Sequence, residues 1–138
     1  MVNRNPFNIA IIVHVMHELS MATSVIDTIT DIAEKEGAIK IREITIEIGE
    51  LLFLNPEQFQ FCLELVMENT PAQGAQLKIS STPSKLRCKA CGSEFRWDRS
   101  PDDHFIFPTI QCTCGSKDFE IIQGRELNIV SIRIEKPD

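Results

Sequence analysis

From Glu18 to Glu36, apolar residues recur at helical spacing: Leu19, Ala22, Val25, Ile26, Ile29, Ile32 and Ala33. Asp27, Thr30, Asp31, Glu34 and Lys35 fall largely on the other face. The pattern predicts an amphipathic helix with Gly37 as its C-terminal cap. The period then changes to two. Ile44, Ile46 and Ile48 alternate with Thr45 and Glu47, which predicts a half-buried strand. Asn55-Pro56-Glu57-Gln58 carries a helix start, with Asn as N-cap, Pro at the first helical position and Gln at the capping-box position. Phe59, Cys62, Leu63 and Val66 then share one stripe, where Cys62 reads as a small buried hydrophobe. Thr70-Pro71 is expected to end this helix, because the residue before proline avoids the helical region. Leu77, Ile79 and Ser81 alternate as a second strand, closed by Pro83. After Gly124, Leu127 and Ile129 are in one phase and Val130, Ile132 and Ile134 in the other. That slip predicts a β-bulge near Ile129.

The order is therefore helix, strand, helix, strand, a cysteine-bearing stretch, and a long strand. It predicts an α+β fold: a three-stranded sheet with two helices on one face, which would bury every apolar stripe named. Residues 85–120 break the periodicity and form an inserted, zinc-ribbon-like unit between two strands. Residues 16–84 and 121–138 form the α/β domain. Residues 1–15 stand apart. Ile9 to Val15 could add a β-branched strand or an interface, or the segment is an upstream start with Met16 as the true initiator. The second reading is the expectation, because Met16-His17 makes the most chemical sense at a terminus.

The insert changes the picture from fold to chemistry. Cys88-Lys-Ala-Cys91-Gly92 is a metal knuckle, and Cys112-Thr-Cys114-Gly115 is its partner. Two thiol pairs at this separation predict a tetrahedral structural Zn²⁺ held by Cys88, Cys91, Cys112 and Cys114. The second pair has one intervening residue where a zinc ribbon normally has two; Gln111 occupies the usual first-cysteine position. A tighter turn is expected there. Phe95, Trp97, Phe105 and Phe107 would supply a small core beside the metal. A zinc hydrolase would need three protein ligands and an open position, so four cysteines speak for a scaffold rather than an enzyme.

Composition narrows the partners. The 138 residues carry a net charge of −6, which opposes a nucleic-acid partner. Basic and acidic residues nearly balance around the insert, so no electrostatic funnel marks it. No apolar run approaches the roughly 20 residues of a membrane helix, and Ile9 to Val13 is too short for a signal-peptide core. The chain reads as cytoplasmic, where clustered cysteines bind metal more often than they form disulfides. His14 reads as an exposed or packing residue of the extension. His104, in Asp102-Asp103-His104-Phe105, is a loop histidine whose alternative role is a labile metal ligand. His17 differs if Met16 is residue one: a free amine, the next amide nitrogen and the imidazole can chelate one Ni²⁺ or Cu²⁺.

Met16-His17-Glu18-Leu19-Ser20, Glu47-Ile48-Gly49-Glu50-Leu51, the C-x-x-C, Cys114-Gly115-Ser116 and Gly124-x-Glu126-Leu127 together resemble the HypA/HybF hydrogenase maturation factors. The resemblance covers residues 16 to about 136 and keeps motif order. It implies a nickel metallochaperone that passes Ni²⁺ to the [NiFe] hydrogenase large subunit and works with the GTPase HypB. By position, His17 and the Met16 amine become the nickel site, with Glu18 in or beside it. The four insert cysteines become the structural zinc site, with the role of Cys112 open because of the C-x-C spacing. The competing reading is a zinc-ribbon adaptor that binds protein or nucleic acid without nickel. Monomer and dimer both remain open, including a domain-swapped dimer in which an extra N-terminal strand pairs with a neighbour's sheet edge.

Overall fold

The computed structural model describes residues 2–5, 9–12, 18–97 and 111–138. His14, Met16, His17, His104, Phe105 and Phe107 lie outside the described residues. In chain order the elements are β1 (Val2–Asn5), β2 (Ile9–Ile12), α1 (Glu18–Lys35), β3 (Lys40–Gly49), a 3-10 turn (Glu50–Leu52) and α2 (Pro56–Met67). There follow β4 (Gln76–Thr82), β5 (Lys85–Cys88), β6 (Glu94–Phe95), β7 (Phe119–Gln123) and β8 (Glu126–Glu135).

The α+β architecture is the one the hydrophobic pattern requires. β8 pairs antiparallel with β3, and β3 pairs parallel with β4. The parallel step is a crossover through α2. Both helices share one core with the sheet, in which Ile26, Ile29, Phe59, Leu63, Ile44, Ile46, Ile129 and Ile132 are buried. The bulge is there: Thr45 faces Ser131 but Ile46 faces Ile129, so Val130 has no opposite residue. This extra residue lets Leu127 and Ile129, then Ile132 and Ile134, all point into the core.

Three details differ from the sequence pattern. In α1, Leu19 is 48% exposed and Met21 is buried in its place; Leu19 belongs to the first turn, beyond the reach of the core. α2 ends at Met67, before Thr70-Pro71. Asn69 adopts a left-handed φ of 63°, and the Thr70 hydroxyl donates to the Met67 carbonyl, which closes the helix before proline is reached. Finally, the sheet is wider than three strands. β1 and β2 both pair antiparallel with β8, from Val2 opposite Glu135 to Ile12 opposite Glu126. Residues of the extension thus line the edge of β8 that β3 leaves open.

The start of α2 follows its signature. The Asn55 side-chain oxygen accepts from the backbone N–H groups of Glu57 and Gln58, at 3.0 and 3.1 Å. Asn55→Ala should cost about 1 kcal/mol in urea unfolding, since two end N–H groups lose their partner. Asn55→Asp should lose little of it.

The connectivity fixes which end of the sheet carries what. α1 closes with Ala38 N–H donating to Ala33, and Ile39 N–H donates to Glu135 at the C-terminal end of β8. β3 then runs away from that end towards Gly49. α1 spans about 27 Å at 1.5 Å per residue, and the short connection from Lys35 to Lys40 turns the chain back from it into β3. Its first residue, Glu18, is therefore placed at the end of the sheet where β3 finishes, β8 begins and the cysteine unit is attached.

Candidate metal centre and its junction with the sheet

The cysteine unit is built on a second three-stranded sheet, with β5 between β6 and β7. β5 carries Cys88 to the first knuckle. There Cys88 N–H donates to Ser93, and Gly92 N–H returns to Cys88. In the second knuckle Cys112 N–H donates to Ser116, and Gly115 N–H returns to Cys112. The return spans four residues in the first knuckle and three in the second. The shorter C-x-C is thus absorbed by a tighter turn, as its spacing requires. Gly92 and Gly115, at φ 75° and 95°, supply the left-handed residue that both turns need. Gln111, where a ribbon normally has its first cysteine, donates instead to the Gly115 carbonyl at 2.8 Å and braces the turn.

All four sulfurs converge. Those of Cys88, Cys91, Cys112 and Cys114 lie within 4.8 Å of one another. Cys88 and Cys114 sulfurs are 3.6 Å apart, and those of Cys91 and Cys112 are 3.7 Å apart. A tetrahedron with metal–sulfur bonds of about 2.3 Å has edges of about 3.8 Å. The donor set and its dimensions fit one tetrahedral divalent ion. No disulfide joins them, and Cys62 is buried away in the main core, as its stripe indicated.

The thiols are not equivalent. The Cys114 backbone N–H, and then the Ser93 hydroxyl, pull the Cys112 thiol down to about 6. Ser93, through its hydroxyl and its backbone N–H, lowers Cys91. For Cys114 the Ser116 backbone N–H acts to lower the thiol, but its sulfur neighbours Cys88, Cys112 and Cys91, together with burial, push it up to about 11. The cluster gives up its first proton readily and resists the last, because thiolates this close repel. A bound divalent cation removes that resistance and lets all four act as ligands.

In the small sheet, Phe95 meets Phe119 edge-on at 6.3 Å. Trp97 does something else. It crosses to the first sheet and packs edge-on against Phe53, with centroids 5.0 Å apart. Trp97 is part of a junction that sequence reasoning missed. Glu50, in the turn after β3, accepts Ser84 N–H at 2.6 Å and is gripped by Arg96 at 3.1 and 3.3 Å. The Ser84 hydroxyl accepts Trp97 N–H at 2.9 Å and lies 3.2 Å from the Trp97 carbonyl, to which it donates. Burial alone would raise the Glu50 carboxyl, but the Arg96 guanidinium and the Ser84 N–H hold it below the ordinary carboxylate value. Gly49 and Gly124 meet backbone to backbone: a Cβ on Gly49 would lie 2.2 Å from the Gly124 carbonyl oxygen. Leu51 N–H donates to that same oxygen at 2.7 Å. The signal was present in Gly49-Glu50-Leu51 and in Gly124-x-Glu126-Leu127. Both were visible as motifs, but nothing local shows that they touch.

Comparison with known proteins now gives these features a setting. Residues 16–134 match the family described as "Hydrogenase/urease nickel incorporation, metallochaperone, hypA". The chain belongs to the HypA family. Among its relatives is the hydrogenase maturation factor HypA of Methanothermobacter thermautotrophicus, 43% identical over 124 residues, covering 89% of this chain and 100% of the relative. That of Methanopyrus kandleri is 36% identical, covering 88% of this chain and 95% of the relative. The solution structure of the Ni metallochaperone HypA from Helicobacter pylori superposes with a TM-score of 0.63 at 28% identity, covering 88% of this chain and all of that one. The HypA family is one of nickel metallochaperones for hydrogenase maturation, and this chain carries a four-cysteine group that can hold a metal ion. Among the described residues no helix is long and apolar enough to cross a membrane. The family match begins at Met16, so β1 and β2 lie outside it.

Proposed function

We propose that this protein is a cytoplasmic nickel carrier. It takes Ni²⁺ at Met16-His17-Glu18 and delivers it to the large subunit of a [NiFe] hydrogenase, with HypB as the GTPase partner. The observation that carries the reading is the family match over residues 16–134. The site itself is supported by the residues: an imidazole and backbone nitrogens form a nitrogen-rich set suited to Ni²⁺, and Glu18 opens α1 beside them. Cys88, Cys91, Cys112 and Cys114 hold structural Zn²⁺, whose closed thiolate shell suits a permanent resident rather than cargo. Residues 85–120 then form the zinc unit, and residues 16–84 with 121–138 the nickel unit. A carrier does no bond-making chemistry. Its ligands must bind selectively and then leave one at a time at the acceptor, and energy for delivery comes from the partner.

The test is calorimetric nickel titration of the chain begun at Met1 and of the chain begun at Met16, each with and without His17→Ala. The shorter chain should bind about one Ni²⁺ per protein, more tightly as pH rises because the ligands must shed protons. His17→Ala should weaken it by more than the roughly 10–100-fold that loss of a mere outer-shell partner costs. The longer chain should bind more weakly, since its Met16 nitrogen is an amide rather than an amine. Nickel binding that ignores His17 in both chains would sink the carrier site and favour an adaptor built on the zinc unit.

A further inference from the structure

The carrier reading leaves the junction between the two sheets without a role, although it is among the most elaborately bonded places among the described residues. Glu50 is central to it. Its carboxylate is only 10% exposed and receives three donors: one from the backbone of Ser84, the last residue before the cysteine unit, and two from Arg96 within it. A carboxylate is used this way when planar, two-pronged recognition sets an angle as well as a contact. Ser84 then passes the constraint on, holding Trp97 by both its N–H and its carbonyl, and Trp97 seats on Phe53. Phe53 itself is held at a left-handed φ of 53°, a conformation a phenylalanine adopts only where its surroundings impose it. The strands entering and leaving the unit are pinned at the same place, by Gly49 against Gly124 and by Gly124 against Ser84.

Two chain crossings joined by short connections would by themselves allow the small sheet to swing. The Glu50 bonds remove that freedom. They act at the end of the main sheet where the topology places Glu18, the first residue of α1. The geometry points to Glu50 as a positioning residue: by gripping Ser84 and Arg96 it fixes the cysteine unit against the end of the main sheet at which β3 finishes and β8 begins, and nickel binding at the start of α1 depends on that fixed placement. The inference rests on the carrier reading for its second half, the dependence of nickel binding, and on the structure alone for its first.

The roles within the clamp are unequal. Arg96 is more than half exposed, so its ion pair is weakened by solvent. Ser84 is 3% exposed, so its N–H has no ready replacement for the Glu50 oxygen. Glu50→Ala removes both interactions, Arg96→Ala removes the fork and leaves the Ser84 bond, and Glu50→Gln keeps one acceptor oxygen for Ser84 N–H and one Arg96 donor while its amide NH2 cannot accept from the other.

Residual dipolar couplings on the full, zinc-loaded chain read the placement directly. In the wild type, amides of α1, β3 and β8 and amides of β5 and β7 should fit one alignment tensor. In Glu50→Ala the couplings of β5 and β7 should shrink and require a separate tensor, Arg96→Ala should do the same to a smaller degree, and Glu50→Gln, which keeps the Ser84 acceptor and loses half of the fork, should restore part of the common fit. Zinc content should stay at that of the wild type in all three. Nickel affinity of the chain begun at Met16 should fall about tenfold in Glu50→Ala, within the range usual for coupled sites. A role in stability alone would lower the unfolding midpoint and leave one tensor, which overturns the proposal. Separate tensors with unchanged nickel affinity overturn it too. If Glu50→Ala does not fold, Arg96→Ala carries the same decision. Nickel binding that His17→Ala does not affect would overturn the carrier site instead, and the tensors would still judge the clamp.

Discussion

Stripping zinc should unfold the small sheet and leave the large one standing. The reason is how little apolar burial the cysteine unit has of its own. Leu86 and Trp97 are its buried hydrocarbon residues among those described, beside the sulfurs of Cys88 and Cys112. None of the four belongs to the core shared by α1, α2, β3 and β8. A three-stranded sheet with so small a core is not self-supporting, so a zinc ion held by the four cysteines would supply its folding energy. Structural zinc in small domains contributes on the order of 10 kcal/mol or more. Hydrogen exchange after chelation should therefore lose protection in β5 and β7 while α1, β3 and β8 keep theirs. Emission from Trp97, the single tryptophan of the chain, should shift to the red as its seat on Phe53 is lost. Cys88→Ser should do the same without a chelator. Cys112→Ser is the sharper case, because its C-x-C spacing put its role in doubt. It should lower zinc affinity as much as Cys88→Ser, and an unchanged affinity would remove Cys112 from the ligand set. The pH dependence follows from the thiols. The Cys112 thiol is held down at about 6 by the Cys114 backbone N–H and the Ser93 hydroxyl, and the Cys114 thiol is pushed up to about 11 by its sulfur neighbours. Metal binding displaces these protons, so zinc retention should weaken as pH falls.

What the sequence showed and what it hid divide along one physical line. Features governed by neighbours in the chain were legible. α1 followed from its 3.6-residue period, the α2 cap from Asn55-Pro56, and the bulge at Val130 from a phase slip between Ile129 and Ile132. The metal cluster was legible for the same reason, because each knuckle is a local turn and only the meeting of two knuckles is long-range. Features governed by distant partners were not. Glu50 and Arg96 are 46 residues apart, and no period links them. Trp97 looked like core for the metal and instead faces Phe53, because the composition of an insert does not say which side its aromatics take. β1 reads Val-Asn-Arg-Asn, with no alternation to mark it as a strand; it is a strand because the open edge of β8 offers it partners. The same applies to the end of α2, where one left-handed asparagine acts before the proline that the sequence made conspicuous.

Gly49→Ala should be among the most destabilising single methyl additions in the chain. Gly49 has φ −64° and ψ 135°, which any residue adopts, so no backbone strain enters the comparison. The obstacle is space. The new Cβ would lie 2.2 Å from the Gly124 oxygen, 2.4 Å from its carbonyl carbon and 2.9 Å from the Glu126 oxygen. These are backbone atoms at the start of β8, and they cannot rotate aside as a side chain would. Relief requires moving the strand, which breaks the Leu51 N–H bond to Gly124 and tilts the Ser84–Glu50 contact behind it. Overpacking usually costs about 1–3 kcal/mol, and a backbone-on-backbone clash belongs at or above the top of that range. Gly37→Ala is the matched control. Gly37 has open space around its Cβ position but a φ of 74°, so alanine there meets only the left-handed penalty, about 1 kcal/mol. Urea unfolding should place Gly49→Ala well below Gly37→Ala in stability. Trp97 emission should change in the first and not in the second, because only Gly49 leads to the junction. Equal losses, with Trp97 unchanged in both, would mean that Gly49 and Gly124 do not approach closely, and that this pair is not what anchors the cysteine unit to the sheet.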